Sequence, residues 1–272
     1  MRLAILSDIH GNIVALDAVL ADIASTGGVD AYWILGDLVD AGPAPVAVLE
    51  RLHQLPSVQF IRGNTDRYVV TDSPNRFTHP HDAPRFDIEA AGSIGWTQGV
   101  VTQGGWFEWM LQLMELPTDL HLQLPDGTTV TGIHAAPGRD TGLGIHTALY
   151  EHELPLVIGD CTSDLIFGGH HHMFLDVTIG RQRIINVGSV SLHYPPDLRA
   201  SYVILHAEEN GHHVEHRLVD YDHALVIEQV RQLRHPAAAY IIPLLTGQAR
   251  PSGRSYIERH LNLLRQNRPS AS

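Results

Sequence analysis

Asp8-Ile9-His10-Gly11-Asn12 and Gly36-Asp37-Leu38-Val39-Asp40 set carboxylates and an imidazole a few residues apart near the start of the chain. Three further polar clusters follow in order: Gly63-Asn64-Thr65-Asp66, Gly132-Ile133-His134 and Gly169-His170-His171-His172. Carboxylate oxygen, amide oxygen and neutral imidazole nitrogen are the donors that hold divalent Mn, Fe or Zn, and the clusters offer no thiolate. Each cluster follows an apolar run of strand length, and five such motifs at five strand ends are hard to explain as packing. Together they read as one dinuclear metal site.

Taken singly, each residue has a plainer role. A lone Asp at a strand end commonly caps a helix or forms a turn, Asn64 before Thr65 suits a turn, and His134 or His170 suits a hydrogen-bonded place in a core. The chain holds 19 histidines, most of which must do something other than bind metal. Order and spacing favour the metal reading for the set.

Through Asp8-x-His10, Gly36-Asp37-x-x-Asp40, Gly63-Asn64, Gly132-x-His134 and Gly169-His170-x-His172, the chain resembles the calcineurin-like metallophosphoesterase superfamily from Met1 to about His206. Asn186-Val187-Gly188-Ser189-Val190 and Arg199-Ala200-Ser201-Tyr202 make it most similar to the small bacterial and archaeal phosphodiesterase-like branch. The resemblance implies an α/β (α+β) fold, a four-layer αββα sandwich of two mixed β-sheets flanked by helices. It implies two divalent metal ions, with Mn favoured over Fe or Zn. One would rest on Asp8, His10, Asp37 and His172, the second on Asp37, Asn64, His134 and His170, with Asp37 bridging. Asp37, Asn64 and His134 would also serve as catalytic residues. A shared carboxylate holds such cations about 3.5–4 Å apart, where they activate a bridging hydroxide for in-line attack on a phosphodiester. Metal charge lowers the pKa of bound water toward ~7, so no separate strong base is needed.

The departures from the family pattern bear on chemistry. Many members carry a His after the motif Asn that contacts phosphate and assists the leaving group; this chain has Thr65. A hydroxyl does not deliver a proton as imidazole does near neutral pH, so esters with poor leaving groups should react slowly. Asp66, His79, His81 and His193 are candidate replacements. After Asp40, protein phosphatase relatives carry an Arg where this chain has Ala41, which removes one phosphate-binding cation. Arg67 could meet substrate or form a surface ion pair. Asp40 is expected to order its turn or a ligand histidine rather than to bind metal directly. His171, between two ligands on an extended segment, should point away and is left out of the set.

These residues need a scaffold, and the apolar patterning supplies one. Leu3 to Ser7 reads as a buried strand, and Ile13, Leu16, Leu20 and Ile23 share one face of a helix capped by Asn12. Ala31 to Leu35, a helix starting near Pro45 and Val58 to Ile61 complete a βαβαβ opening that favours parallel pairing. In such sheets the carboxyl ends of strands converge on a ligand crevice, and Asp8, Asp37 and Asn64 all fall there.

Residues 67–116 read as a helical, cap-like insertion, with the stretch from Thr71 to Arg85 bordering substrate and Trp96, Trp106 and Trp109 filling contacts with the sandwich. Leu120–Leu124 and Thr128–His134 suit a hairpin about Pro125-Asp126-Gly127. Leu165–Phe167 leads into the histidine cluster, and Phe174–Ile179 with Arg183–Val187 suits a second hairpin. Tyr202–His206 and Val214–Val219 suit a third, so the second half is expected to be mostly antiparallel. Residues 1–220 would form the metallophosphoesterase domain and 221–272 a C-terminal helical extension. There Leu225, Ile227, Val230 and Leu233, then Tyr256, Ile257, Leu261 and Leu264, mark apolar stripes that dock on their own chain or on a second subunit. Arg268–Ser272 should fray.

Composition is consistent with this and would not have suggested it. A chain of 272 residues with 44% hydrophobic content can bury a full core. The net charge of -12 and the lack of any Lys/Arg run argue against nucleic acid. Metal-centred positive potential could still draw in a small phosphate ester, the expected substrate. The single Cys161 rules out an intrachain disulfide and suits a small buried hydrophobe in a reducing compartment. The first residues are too soon interrupted by Asp8 for a signal peptide and no apolar stretch reaches spanning length, so no membrane association and a cytoplasmic location are expected. Two other activities fit the same residues: a phosphomonoesterase acting on proteins or nucleotides, and a non-catalytic metal-binding scaffold. A homo-oligomer through the C-terminal helices is a further expectation.

Overall fold

A computed structural model of the chain describes residues 1–71, 85–248 and 254–266. The expected loop over 72–84, with His79 and His81, and the last residues 267–272 lie outside the described residues.

The chain opens with β1 (Arg2–Leu6), α1 (Ile13–Ser25), β2 (Ala31–Leu35), α2 (Pro45–His53) and β3 (Val58–Ile61), and β1–β2 and β2–β3 pair in parallel. Asn12 caps α1 by accepting the Ala15 N–H at 3.1 Å, and Pro45 occupies the first turn of α2, where its missing N–H has no helical partner to lose. Then come α3 (Asn64–Thr71), α4 (Arg85–Gln103), α5 (Phe107–Glu115), β4 (Asp119–Gln123) and β5 (Thr129–Ile133). A short helix α6 (Leu154–Ile158) precedes β6 (Leu165–Gly168), β7 (Leu175–Ile179), β8 (Gln182–Asn186), β9 (Ala200–Glu208) and β10 (Gly211–Val219). Three helices close the described chain: α7 (His223–Gln232), α8 (Ala238–Leu245) and α9 (Arg254–Gln266).

Two mixed five-stranded sheets result, ordered β10-β9-β1-β2-β3 and β4-β5-β6-β8-β7. The three hairpins β4–β5, β7–β8 and β9–β10 form as the turn residues indicate. The expectation that the second half is mostly antiparallel needs correction at the centre of its sheet, where β5–β6 and β6–β8 are parallel. Hairpin turns are written in adjacent residues, whereas parallel neighbours are joined by long crossovers with no short local signal.

Alternation on β1 and β2 explains why both strands read as continuous apolar runs. Leu3, Ile5, Trp33 and Leu35 face the second sheet and cluster with its Val130, Phe167 and Ile185. Ala4, Leu6, Tyr32 and Ile34 face the opposite way, onto Leu16, Val19 and Leu49 of α1 and α2. A sheet covered on both faces loses the polar alternation of a half-exposed one. On the far side of the second sheet, Ile133, Ile166 and Ile184 receive Leu154 and Ile158 of α6, completing the order helix, sheet, sheet, helix.

The tryptophans pack as contact fillers: Trp106 and Trp109 meet the His53 ring at 4.5 and 4.4 Å, and Trp96 meets His235 at 4.1 Å. The C-terminal helices dock on their own chain, but with a shifted stripe on α7. Val226 and Val230 are buried, whereas Leu225 and Leu233 are 45% and 48% exposed. Helix α8, which contains Pro243, was not foreseen as a separate element; its Ile241 and Leu245 pack with Val226 and Val230 against Ala41 and Leu192. On α9, Ile257 and Leu261 are fully buried against Ala136, Leu143 and Val157, and Arg254 pairs with the buried Glu153 at 2.8 Å.

Candidate metal centre

β1, β2 and β3 run parallel in one sheet and β5 and β6 run parallel in the other, so within each sheet these strands end at one edge. Asp8, Asp37, Asn64, His134 and His170 are the residues that leave those ends. The backbone there is unusual. Asp8, His10, Asp37, Asp40, His170 and His172 all adopt positive φ, between 49° and 71°, a region that costs a non-glycine residue roughly 1–3 kcal/mol.

A lattice of hydrogen bonds holds those conformations. The N–H groups of Asp8, His10 and Gly11 donate to the carbonyls of Gly36, Asp37 and Leu38 at 3.0, 2.9 and 2.9 Å, lacing the first two loops together. The His170 N–H donates to Asp8 Oδ2 at 2.9 Å, and the Gly169 N–H to the His134 carbonyl at 3.0 Å. Asn186, at the end of β8, donates from Nδ2 to the carbonyls of Ile145 and Gly169, each at 2.8 Å. Two glycines are required by close approach. A Cβ on Gly63 would sit 2.0 Å from Asp37 Oδ1, and one on Gly169 would sit 1.9 Å from Ser7 Oγ.

The side chains converge in two overlapping sets. In the first, Nε2 of His10 lies 3.3 Å from Nε2 of His172, which lies 3.2 Å from Asp8 Oδ1. One ligand atom each from Asp8, His10, Asp37 and His172 falls within 4.8 Å of the others. In the second, His134 Nε2 lies 3.3 Å from Asn64 Oδ1, and the His134 and His170 ring centres are 5.2 Å apart. Oδ2 of Asp37 belongs to both, 3.7 Å from His10 Nε2 and 3.6 Å from His134 Nε2.

The donor set fits divalent cations. Asp8 Oδ1 is buried and accepts no hydrogen bond, which is costly for a carboxylate without a cation beside it. His134 Nδ1 is committed to the Leu35 carbonyl at 2.7 Å, so its Nε2 lone pair faces Asn64 Oδ1, an acceptor facing an acceptor. His170 Nε2 is likewise held by the Gly142 carbonyl at 3.1 Å, leaving Nδ1 as its ligand atom. Burial, with the charge of neighbouring histidines, lowers His10 and His170 to about 3, so both are neutral donors at pH 7. Burial and then the Asp8 charge push Asp37 up to about 8. Burial opposes ionisation of Asp8, yet His172 holds its carboxyl below the usual range. Two carboxylates crowded in a dry pocket are what a bound cation relieves.

The residues expected around the ligands divide sharply. Thr65 lines the cavity beside the metal set; its N–H donates to Asp37 Oδ1 at 2.8 Å and its hydroxyl to the Val39 carbonyl at 3.2 Å. Asp66 is not among the residues that line the cavity. It is fully buried and accepts the N–H groups of Leu38, Val39 and Gly63 at 2.9, 3.3 and 2.9 Å, tying the second loop to the third. Burial, with the Asp37 charge, pushes it up to about 7. Arg67 is spent on Asp140 in a two-pronged pair at 2.8 and 3.0 Å, joined there by Arg62 at 3.0 Å. Asp40 reaches no ligand histidine with its carboxylate; Ser93 and Thr97 of α4 donate to it at 2.6 and 3.2 Å, and burial pushes it up to about 6. His171 turns away, against His146 and the Leu143 carbonyl. Of the candidate proton donors, His193 lines the cavity, nearly buried and lowered to about 3 by that burial.

The cavity over the ligands holds about 180 Å³. Among the described residues neither α4 nor α5 lines it, and residues 72–84 of the expected cap-like insertion lie outside the described residues. The cavity is also lined by Leu192, Tyr194 and, on α8, Tyr240 and Leu244. Sequence reasoning missed these four. They carry no motif, and only packing of the C-terminal helices on the site loops brings α8 there.

Comparison with known proteins fits this geometry. A model of the calcineurin-like phosphoesterase superfamily domain matches residues 1–210. An uncharacterized protein of Methanocaldococcus jannaschii is 28% identical over 251 residues, covering 86% of this chain and 93% of that one. The symmetrical bis(5'-nucleosyl)-tetraphosphatase of Pectobacterium atrosepticum is 35% identical over only 71 residues, 26% of this chain and 25% of that enzyme. Among solved structures, a metallophosphoesterase from Sphaerobacter thermophilus is 26% identical with a TM-score of 0.68, covering 92% of this chain and 99% of that one. A hypothetical protein from Pyrococcus horikoshii shares the fold, with a TM-score of 0.74 at 19% identity over 90% of this chain and 97% of that one.

Proposed function

The chain belongs to the calcineurin-like phosphoesterase superfamily, and on that premise we propose that it is a dinuclear metal-dependent phosphodiesterase acting on a small soluble ester. The observation that carries the reading is Asp37 Oδ2, set within 3.7 Å of His10 and 3.6 Å of His134, a single oxygen common to both ligand sets. Asp8, His10, Asp37 and His172 would hold one divalent ion and Asp37, Asn64, His134 and His170 the other, with Mn favoured. When bound, such ions supply Lewis acidity to the phosphoryl oxygens and an activated water for in-line attack.

The chain's own residues orient that chemistry. Leu35 and Gly142 carbonyls fix the tautomers of His134 and His170, Thr65 steadies Asp37 through its N–H, and Asp66 fixes the loops that carry Asp37 and Asn64. Of the candidate proton donors, His193 lines the cavity but is held neutral at neutral pH by burial. That favours esters whose leaving group departs without a proton, and it supports a diester with a good leaving group over a monoester. Nucleotide phosphatase activity is the competing reading, drawn from the short likeness to the tetraphosphatase. Cys161 as the sole thiol supports a cytoplasmic location, and no described helix is long and apolar enough to cross a membrane.

The test is metal content per chain on freshly purified protein, then hydrolysis of bis(4-nitrophenyl) phosphate, 4-nitrophenyl phosphate and a dinucleoside tetraphosphate with added Mn. Two metals and faster diester cleavage are expected. Absence of bound or activating metal overturns the reading.

A further inference from the structure

The cavity has two chemically different sides. One is the set of candidate ligands, His10, Asp37, Asn64, His170 and His172; the other is largely apolar and aromatic, Leu192, Tyr194, Tyr240 and Leu244, with His193 among them and Tyr194 stacked 6.4 Å from His172. Tyr240 and Leu244 stand one turn apart on α8 and so share a face of that helix. Helix α8 lies beyond residues 1–210, the extent of the superfamily match, whereas Leu192 and Tyr194 lie within it. The helix is firmly seated. Ile241 and Leu245, each the next residue along, are buried with Val226, Val230, Ala41 and Leu192, Tyr240 and Leu244 are partly buried against the same cluster, and His235 just before α8 packs on Trp96 at 4.1 Å.

Charge defines the opposite constraint. Among the described residues, no Lys or Arg lines the cavity. The nearby guanidiniums of Arg62 and Arg67 are bound to Asp140, and that of Arg199 to Asp197 at 2.6 Å. One phosphate charge is met by the candidate ligands, whereas a second anionic group against Tyr240 and Leu244 would meet no counter-charge among the described residues.

We propose that α8 is the specificity wall of this site, with Tyr240 and Leu244 receiving a neutral, apolar or aromatic substituent of a singly charged phosphate diester. The proposal rests on the phosphoesterase reading for the site and adds the substrate class. Apolar surface removed from water on this wall strengthens substrate binding without touching the reacting atoms, so its loss appears in KM rather than in metal binding.

The experiment uses the full-length, Mn-loaded protein and three variants, Tyr240→Ala, Leu244→Ala and the conservative Leu244→Met. KM for bis(4-nitrophenyl) phosphate should rise about tenfold in each alanine variant and stay near the parent value in Leu244→Met, with metal content unchanged in all. Calorimetric binding of diphenyl phosphate should weaken in parallel, while dimethyl phosphate, with little apolar surface to bury, should bind all four proteins alike. P1,P2-diphenyl diphosphate, with a second charge, should bind the parent at least tenfold more weakly than diphenyl phosphate. Equal KM in the alanine variants and the parent overturns the wall, and tight binding of the diphosphate overturns the charge rule. If the metal-loaded parent hydrolyses no ester, the phosphoesterase reading fails by itself, and loss of diphenyl phosphate binding in the alanine variants still decides the wall.

Discussion

Oδ2 of Asp66 accepts the main-chain N–H of Gly63 at 2.9 Å. Its other oxygen accepts Leu38 and Val39, so one buried carboxylate fixes the loop that bears Asp37 against the loop that bears Asn64. Asp66→Ala leaves these buried N–H groups without partners, and stability should fall by about 2–4 kcal/mol. Metal affinity should fall with it, although Asp66 touches no ligand atom. Chemical denaturation and metal titration of the variant check both; unchanged metal affinity would show that the loops hold their places without the clip.

Replacing the shared oxygen is the direct test of the metal centre. Asp37→Asn keeps the shape but removes the charge that both ligand sets use. Bound metal should drop below one ion per chain and activity should be lost. Elemental analysis decides it, and full metal content in the variant sinks the bridging role.

Thr65 borders the cavity, where a longer side chain can reach substrate. Thr65→His gives up the hydroxyl bond to Val39 but installs an imidazole able to donate a proton near neutral pH. The rate for an alkyl-leaving ester relative to a nitrophenyl-leaving one should rise by roughly tenfold or more, the lower reach of general-acid catalysis. An unaltered ratio would mean that leaving-group protonation does not limit this enzyme.

Arg67 should prove structural. Because both prongs of its guanidinium are held by Asp140, Arg67→Ala should leave KM within about twofold and lower stability by about 1 kcal/mol, the scale of a partly exposed ion pair. Asp140→Ala should be worse, since it strands Arg62 and Arg67 together. A large rise in KM for Arg67→Ala would place its guanidinium on substrate instead.

His235 gives the C-terminal helices a pH dependence. It is buried beside Trp96, and its Nδ1 accepts the Ala237 N–H at 3.1 Å, so burial lowers its pKa to about 4. The unfolded chain takes up a proton near the ordinary value of ~6.5 while the folded chain does not, so stability is present above that pH and lost as pH falls toward 4. The contribution is about 3 kcal/mol at most. Melting temperature measured from pH 7 to 4 should fall less steeply in His235→Phe than in the parent. Parallel curves would remove His235 as a source.

The five polar motifs and the apolar runs before them were readable in the sequence because a carboxylate or imidazole at a strand end is a local pattern, and parallel strands bring such ends to one edge whatever the details between them. The hairpins were readable for the same local reason, since turn residues and alternation lie side by side in the chain. Family likeness added the pairing of ligands into two sets, which spacing by itself does not specify.

What only the tertiary structure decided depends on contacts between residues far apart in the chain. Asp66 and Arg67 looked like candidates for substrate because they follow Asn64; folding instead aims one at Leu38, Val39 and Gly63 and the other at Asp140. The parallel core of the second sheet and the seating of α8 are likewise invisible in local pattern. Tyr240 and Leu244 have no motif, and they reach the site because the apolar faces of α7 and α8 bury best against Ala41 and Leu192, beside the metal ligands. The ligand chemistry was thus written in residue types, while the shape of the substrate's side of the cavity was set by where a nonspecific driving force, burial of apolar surface, found complementary packing.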